Sequence, residues 1–255
     1  MGPRVRCRDR FRPRHVSGVP VTPTLRLACV NLAAPPLFDK ADAHGIRRGY
    51  EPSAADTVAA RMGRTVEWVI TTWDDMIPAV NEGRADAVWC GQGITEARAA
   101  LVDFTNPYAV FDESALVRAD SSVCAPEDLA GLRVGAIAVS TNMTLVQTFP
   151  EVIPVPFGGS ADVFGDMIGA LRRGEVDAIV DDDVALVPVG DEPDLKVAFT
   201  VATRNRWGIG VAKGNTGLLD ALNDALAAVI ADGSLEQVWK QWMPDLVFPL
   251  RFEGD

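Results

Sequence analysis

The segment DMIPAVNEGRADAV occupies residues 75 to 88, and a close copy of it, DMIGALRRGEVDAI, occupies residues 166 to 179. Seven of the fourteen positions are identical: Asp75/Asp166, Met76/Met167, Ile77/Ile168, Ala79/Ala170, Gly83/Gly174, Asp86/Asp177 and Ala87/Ala178. In both copies apolar residues at helical spacing precede the glycine, which predicts a helix that ends there. The following Asp-Ala-aliphatic sequence predicts entry into a strand, and we interpret Asp86 and Asp177 as structural residues of that turn.

The surroundings of the two copies also match. LRLACVN (25 to 31) and LRVGAIAV (132 to 139) read as opening strands, and each half then alternates strand and helix. The helix N-caps predicted from this pattern are Ser53, Thr72 and Ser160. Such alternation favours parallel strands with right-handed crossovers, so the chain is predicted to be an α/β protein of two similar lobes with a ligand cleft between them.

Charge is distributed unevenly along the 255 residues. The formal net charge is -11, while the first 20 residues hold six Arg and one Asp and carry +5, which leaves -16 on the remainder. Since an acidic body repels phosphate backbones and anionic membrane surfaces, nucleic acid is excluded as its expected partner. We interpret the Arg-rich start, residues 1 to 23, as a disordered segment.

The sequence lacks the residues that several kinds of catalytic and metal site require. The only histidines are His15 and His44, so triad and HExxH chemistry are close to excluded, and we expect no catalytic residue, metal or cofactor. The four cysteines lie far apart without metal-like spacing, so buried free thiols are expected, with a disulfide as the alternative. No run reaches transmembrane length, and no apolar core of a signal peptide follows the Arg cluster.

The sequences that follow the two repeats differ. WCGQGITEARAALVDFTNPY (89 to 108) follows the first and VDDDVAL (180 to 186) follows the second. One edge of the cleft then carries Arg98, whose guanidinium suits a carboxylate, and the other carries aspartates that suit an ammonium group. If the strand continues, alternate residues point to opposite faces, and we favour Asp182 as the one that faces the cleft. Opposed charges of this kind predict a zwitterionic ligand.

The chain resembles the bacterial extracellular solute-binding proteins of the polar amino-acid type, the receptors of ABC importers, over residues 24 to 244. The resemblance rests on ordered motifs: APPLF, GYEPSAADTVAARMG, TTWDDMIPAVNEGRADAV, GITEAR, VDFTNPY, DLAGLRVGAIAVST, LRRGEVDAIVDDDVAL, WGIGVAKG and ADGSLEQVWKQW. It implies a type II periplasmic-binding-protein fold with a two-segment hinge. The lobes implied are residues 24 to 114 plus 205 to 255, and residues 115 to 204.

The resemblance also implies roles for individual residues. Arg98 is expected to bind the ligand carboxylate with the backbone of Gly91 and Gly93, and Asp182 to bind the ammonium group. Ser140 and Thr141 are expected to add donors at a helix start, Tyr50 to stack on the ligand, and Asn31 to lie in the site. Four positions depart from the family pattern: Asn31 replaces a frequent acid, Ala34 an aromatic residue, Gly93 a Ser or Thr, and Val139 a Gly.

The function that follows from the resemblance is capture of a small amino-acid-like solute by a monomer that delivers it to an ABC permease, without a cofactor. Export from the cytoplasm is implied, and a cytoplasmic location is the alternative because no signal peptide is visible. A second hypothesis is a dehydratase-like enzyme that uses Glu51 or the Asp181–Asp183 cluster as general base. A sensory ligand-binding module is the third.

Overall fold

The computed structural model describes residues 22–244 and 246–250, and these residues form two five-stranded sheets with helices on their faces. The predicted disorder of the Arg-rich start concerns mainly residues 1–21, which lie outside the described residues. The strands are β1 (Thr24–Val30), β2 (Thr65–Thr71), β3 (Ala87–Val88), β4 (Val102–Phe104), β5 (Ala109–Arg118), β6 (Arg133–Ile137), β7 (Ile153–Phe157), β8 (Ala178–Asp182), β9 (Leu195–Trp207) and β10 (Gly210–Ala212). The α-helices are α1 (Tyr50–Arg61), α2 (Met76–Asn81), α3 (Glu96–Ala99), α4 (Thr141–Val146), α5 (Val163–Arg173), α6 (Asp183–Gly190), α7 (Thr216–Ala231) and α8 (Ser234–Trp242).

Both sheets are mixed. The first has the order β2-β1-β3-β10-β4, with β1 parallel to β2 and β3 and with β10 antiparallel to β3 and β4. The second has the order β7-β6-β8-β5-β9, with β6 parallel to β7 and β8 and with β5 antiparallel to β8 and β9. The predicted two-lobe α/β architecture and its parallel core strands are confirmed. The predicted parallel pairing holds for β1, β2 and β3 and for β6, β7 and β8, whereas β5, β9 and β10 pair antiparallel with their neighbours.

The strands β5 and β9 form the connection between the two sheets. They pair from Ala109↔Trp207 to Arg118↔Leu195, with a shift of register between Phe111 and Glu113. The predicted lobe boundaries, 114/115 and 204/205, fall inside this paired ribbon, so the division of the chain at those residues stays a prediction.

Each repeat anchors its helix-to-strand turn to the opening strand of its own sheet. Asp86 accepts hydrogen bonds from the backbone N–H of Arg26 at 2.8 Å and from its Nη2 at 2.6 Å. Asp177 accepts from the backbone N–H of Arg133 at 3.0 Å and from its Nη2 at 2.9 Å. The structural role predicted for both aspartates is confirmed.

Three helix starts differ from the sequence prediction. α1 begins at Tyr50, so Ser53 lies inside it. α5 is capped by Asp162, which accepts from Gly165 N, while Ser160, two residues earlier, accepts from Asp162 N through its Oγ. Thr72 precedes a short 3-10 turn and makes no side-chain cap. The caps predicted at Ser53 and Ser160 are therefore wrong, and Thr72 holds its N-cap position without a side-chain bond.

Buried aromatic rings join the two sheets at the base of the cleft. Phe111 lies 4.6 Å from Trp207 and 5.2 Å from Trp239, measured between ring centroids. In the first lobe the buried thiols of Cys29 and Cys90 approach to 2.9 Å between sulfur atoms, whereas Cys124 is exposed. The expectation of buried thiols is therefore confirmed for two of the three described cysteines, and Cys7 lies outside the described residues.

Candidate ligand-binding cleft

Arg98 lies at the contact between the lobes. It belongs to the one-turn helix α3, whose N-cap Thr95 accepts a hydrogen bond from the Arg98 backbone N–H at 3.2 Å. Its side chain is 6% exposed, and it donates from Nη1 to Gly93 O at 2.9 Å and from Nη2 to Val139 O at 3.0 Å. Burial lowers the pKa of Arg98 to about 10 and Asp182 opposes that shift, so the guanidinium is charged at neutral pH.

Trp73 forms a platform for this guanidinium. The Arg98 Cζ atom lies 5.5 Å from the centroid of the Trp73 ring, within the range of a cation–π contact. A cavity of about 330 Å³ opens beside the pair, and Gln92 and Val139 also line it. The sequence analysis did not place Trp73 in the cleft, since a lone tryptophan carries no signal that separates core from cleft.

Asp182 faces this region from the second lobe. It ends β8 and is 8% exposed. Asn205 Nδ2 donates to Asp182 Oδ1 at 3.2 Å and to Thr141 Oγ1 at 3.0 Å. Burial and the neighbouring carboxylate of Asp181 raise the pKa of Asp182 well above its ordinary value. The strand ends here, so Asp183 opens α6 instead of continuing the predicted alternation.

Two further carboxyl groups surround Asp182. Asp181 Oδ1 accepts from Asn142 Nδ2 at 2.8 Å, and burial raises the pKa of Asp181 to about 7. Glu113 lies directly opposite Asp182 in the register of β5 and β8 and is 2% exposed. Glu113 also lines a cavity of about 680 Å³ between the lobes, together with Thr141 and Asn205.

Gly93 lies against Thr141 of the second lobe and Asn205 of the connecting ribbon. A Cβ atom placed there would lie 2.7 Å from Asn205 Oδ1 and 2.9 Å from Thr141 Cγ2. At Gly91, which has φ +56°, a Cβ would lie 3.2 Å from the buried Trp207 ring. Five predicted site residues therefore lie where the two lobes face each other: Gly91, Gly93, Arg98, Thr141 and Asp182. Their contact with a ligand stays a prediction.

Three other predicted site residues are engaged elsewhere. Tyr50 is fully buried, donates to Tyr108 O at 2.8 Å and packs edge-on against Trp239, so the prediction that it stacks on the ligand is wrong. Ser140 donates to Ile137 O at 2.6 Å and caps α4, which leaves its hydroxyl no donor for a ligand. Asn31 Oδ1 accepts from Ala41 N at 2.8 Å and so holds its own loop.

Glu51, the alternative general base, is enclosed in the first lobe. It is 1% exposed and accepts from Tyr108 Oη at 2.5 Å and from Gly91 N at 3.1 Å. Burial raises its pKa to about 7, and the two hydrogen bonds limit the rise. These contacts make Glu51 a support for the loop that carries Gly91.

Asn205 and Glu113 were missed by the sequence analysis. Neither residue belongs to a recognisable motif. Both lie near Asp182 because β5 pairs with β8 and β9, with a shift of register after Phe111. Such a bulge re-aims side chains and leaves no recognisable signal in one sequence. Among the described residues, no group of three or more His, Cys, Asp or Glu side chains is arranged to hold a metal ion, and no helix is long and apolar enough to cross a membrane.

Two mixed α/β lobes around a cleft define the type II periplasmic-binding-protein fold, which solved structures share with this chain. An ancestral arginine-binding protein bound to arginine superposes with a TM-score of 0.77 at 30% identity, covering 86% of this chain and 98% of that one. The family model for bacterial extracellular solute-binding proteins, family 3, matches residues 27–245. The chain belongs to that family.

Characterised relatives are binding proteins for amino acids. ABC transporter arginine-binding protein 1 of Escherichia coli K12 is 30% identical over 217 residues, covering 82% of this chain and 87% of the relative. The L-cystine-binding protein TcyJ of the same strain is 29% identical over 214 residues, covering 82% of this chain and 78% of the relative. These relatives are not enzymes, in agreement with the non-enzymatic role predicted from the sequence.

Proposed function

We propose that this protein captures a small amino-acid-like zwitterion between its lobes and delivers it to the permease of an ABC importer. The observation that carries the proposal is the placement of Arg98 on one lobe and Asp182 on the other, both buried where the lobes meet. A ligand with a carboxylate and an ammonium group satisfies both charges at once. Membership of the solute-binding family and the amino-acid-binding relatives support this class of ligand.

The carboxylate end of the ligand binds the first lobe. Among the described residues, the acceptors of the Arg98 guanidinium are the neutral carbonyl oxygens of Gly93 and Val139. A carboxylate that replaces these carbonyl oxygens gives the guanidinium a partner of opposite charge, and such bonds between ions are shorter and stronger than bonds to a neutral oxygen. Because Val139 belongs to the second lobe, this exchange of partners also couples binding to the distance between the lobes.

The ammonium end binds the second lobe at Asp182. Burial beside Asp181 disfavours the ionised form of this carboxyl group, and a positive charge brought by the ligand removes that penalty. Three or four charge-assisted bonds, each worth about 1.5 to 3 kcal/mol, suffice for the roughly 8 kcal/mol of micromolar binding after entropy costs.

Closure follows from the division of the site between two lobes. The β5–β9 ribbon connects them, and a ligand that binds both lobes favours the closed form by its differential affinity. We propose that the protein acts outside the cytoplasmic membrane, since the family is described as extracellular. We also propose that it acts as a monomer and that the permease recognises its closed form.

The test is isothermal titration of residues 22–255 with a panel of amino acids, for the wild type and for Arg98→Ala. We expect the substitution to abolish binding, since a loss of two charge-assisted bonds weakens affinity by about a hundredfold or more. Arg173→Ala, at an exposed arginine of the second lobe, is the matched control and should bind as the wild type does. Equal affinities of wild type and Arg98→Ala would overturn the assignment of the site.

A further inference from the structure

The acidic side of the cleft holds more carboxyl groups than one ammonium group requires. Glu113 and Asp182 are direct cross-strand neighbours, and Asp181 precedes Asp182. All three are more than nine-tenths buried. Burial raises the pKa of each carboxyl group, and Glu113 and Asp181 repel Asp182 further.

Glu113 has an oxygen atom that nothing in the described residues satisfies. Its Oε2 atom is buried and has no hydrogen-bond partner. The hydroxyls of Thr203 and Thr141 lower the pKa of Glu113, while Asp112 and Asp183 raise it along with burial. Arg204 and Arg206 line the same cavity, but both side chains are exposed at its surface. A buried carboxylate without a partner costs free energy until a donor arrives.

At position 31, where the resemblance implies a frequent acid, this chain has Asn31. Asn31 is uncharged, and its amide oxygen is occupied by Ala41 N. The buried Glu113 oxygen without a hydrogen-bond partner is therefore our candidate for the group that meets a second positive charge on the ligand.

We propose that Glu113 is a specificity-determining residue that binds a second ammonium group, so that the cleft selects a short-chain diamino acid of net charge +1. The inference rests on the proposed function, because Arg98 and Asp182 hold the carboxylate and the first ammonium group. Glu113 then meets the second nitrogen from the adjacent strand.

The register limits the length of that ligand. Side chains directly opposite each other on antiparallel strands have Cβ atoms about 4.5 to 5.5 Å apart, so the two carboxylates lie side by side. Two nitrogen atoms separated by two or three carbon atoms fit this spacing, as in 2,3-diaminopropanoate and 2,4-diaminobutanoate. The longer chains of lysine and arginine carry the second charge past Glu113.

The experiment compares matched ligands by titration calorimetry at pH 7.5. 2,4-Diaminobutanoate and norvaline have nearly the same shape and differ in the second ammonium group. We expect the wild type to bind the diamino acid at least about tenfold more tightly, the value of one charge-assisted bond. Glu113→Gln should remove that preference, read as the ratio of the two affinities measured in the same variant. Glu127→Gln, at an exposed glutamate of the same lobe, should retain the preference.

The outcomes separate the two proposals. If the wild type binds norvaline and diaminobutanoate equally, or if Glu113→Gln keeps the preference, the role of Glu113 is overturned and the proposed function stands. If the wild type binds no amino acid of the panel, the proposed function fails, and the role of Glu113 fails with it. The comparison of norvaline with diaminobutanoate uses the wild type alone, so it stands even if Glu113→Gln fails to fold. Thermal unfolding of the variant would reveal such a defect.

Discussion

Glu51 shows how one buried carboxyl group supports a binding loop. It holds the N–H of Gly91, in the loop before Arg98, and the hydroxyl of Tyr108, which precedes β5. The single residue therefore ties the ligand loop to the start of the connecting ribbon. The cost is burial of an acid whose pKa rises from 4.5 to about 7.

This residue makes stability depend on pH. Between pH 4.5 and 7 the folded state keeps a proton on Glu51 that the unfolded state releases, so the free energy of unfolding falls as pH rises through this window. A pKa shift of this size lowers the free energy of unfolding by about 3 kcal/mol in total. The whole decrease is reached above pH 7, and none of it occurs below pH 4.5. Burial also raises the pKa of Asp181, so Asp181 contributes a pH dependence of the same sign to the wild type and to the variants alike.

We expect Glu51→Gln to remove this part of the dependence. Urea unfolding of wild type and variant at pH 5 and pH 8 should show the variant gaining stability relative to the wild type as pH rises. Glu67→Gln, at an exposed glutamate, should follow the wild type at both pH values. A difference between Glu51→Gln and the wild type that is the same at pH 5 and pH 8 would contradict the assigned pKa.

At the scale of the element, the two repeats have the same structural role. In each repeat a helix ends, an aspartate then forms hydrogen bonds and an ion pair with an arginine at the start of the opening strand, and a parallel strand begins. The contacts Asp86–Arg26 and Asp177–Arg133 are equivalent in the two sheets. The repeat in the sequence is therefore a repeat of a turn and its anchor.

Removing one anchor should weaken its own sheet. Asp177→Ala leaves the backbone N–H of Arg133 without its partner, and we expect a loss of about 1 to 2 kcal/mol, limited by solvent screening of the exposed guanidinium. Hydrogen exchange should quicken in β6 and leave β1 unchanged. Asp220→Ala, at an exposed position of α7, should change stability by no more than about 0.5 kcal/mol. Uniform quickening in both sheets would show that the anchor is not local.

At the scale of the whole molecule, Gly93 sets how closely the lobes approach. A Cβ atom at Gly93 would meet Asn205 of the connecting ribbon and Thr141 of the second lobe, and the φ of Gly93 is not in the left-handed region, so alanine is strained there by contact alone. The departure from the family's Ser or Thr at this position then has a physical reason: Asn205 occupies the space across the cleft.

We expect Gly93→Ala to hold the lobes apart and to weaken ligand binding by about tenfold, since the closing contacts of one lobe are lost. Small-angle scattering with saturating ligand should give a larger radius of gyration for the variant than for the wild type. Gly217→Ala, where an added Cβ meets nothing within 4 Å, is the control and should close normally. If Gly93→Ala binds and closes like the wild type, the close approach at Gly93 does not govern closure.

Much of the fold could be read from residues near one another in the chain. Glycines at helix ends, alternating apolar runs and the repeat predicted the strands and helices of both halves. The candidate site was predicted in part: Arg98 and Asp182 follow from charged residues placed just after the two repeats. Trp73 was not recognised because a tryptophan has the same appearance in a core and in a cleft.

The sequence by itself determined that the chain folds as two like halves with opposite charges at their facing edges. Only the tertiary structure decided which residues share the cleft. Tyr50 turns into the core because α8 brings Trp239 against it, and Glu113 and Asn205 reach Asp182 because β5 pairs with β8 and β9. The physical reason is sequence separation: local patterns fix periodicity and caps, while contacts between distant strands depend on register and on the packing of the whole chain.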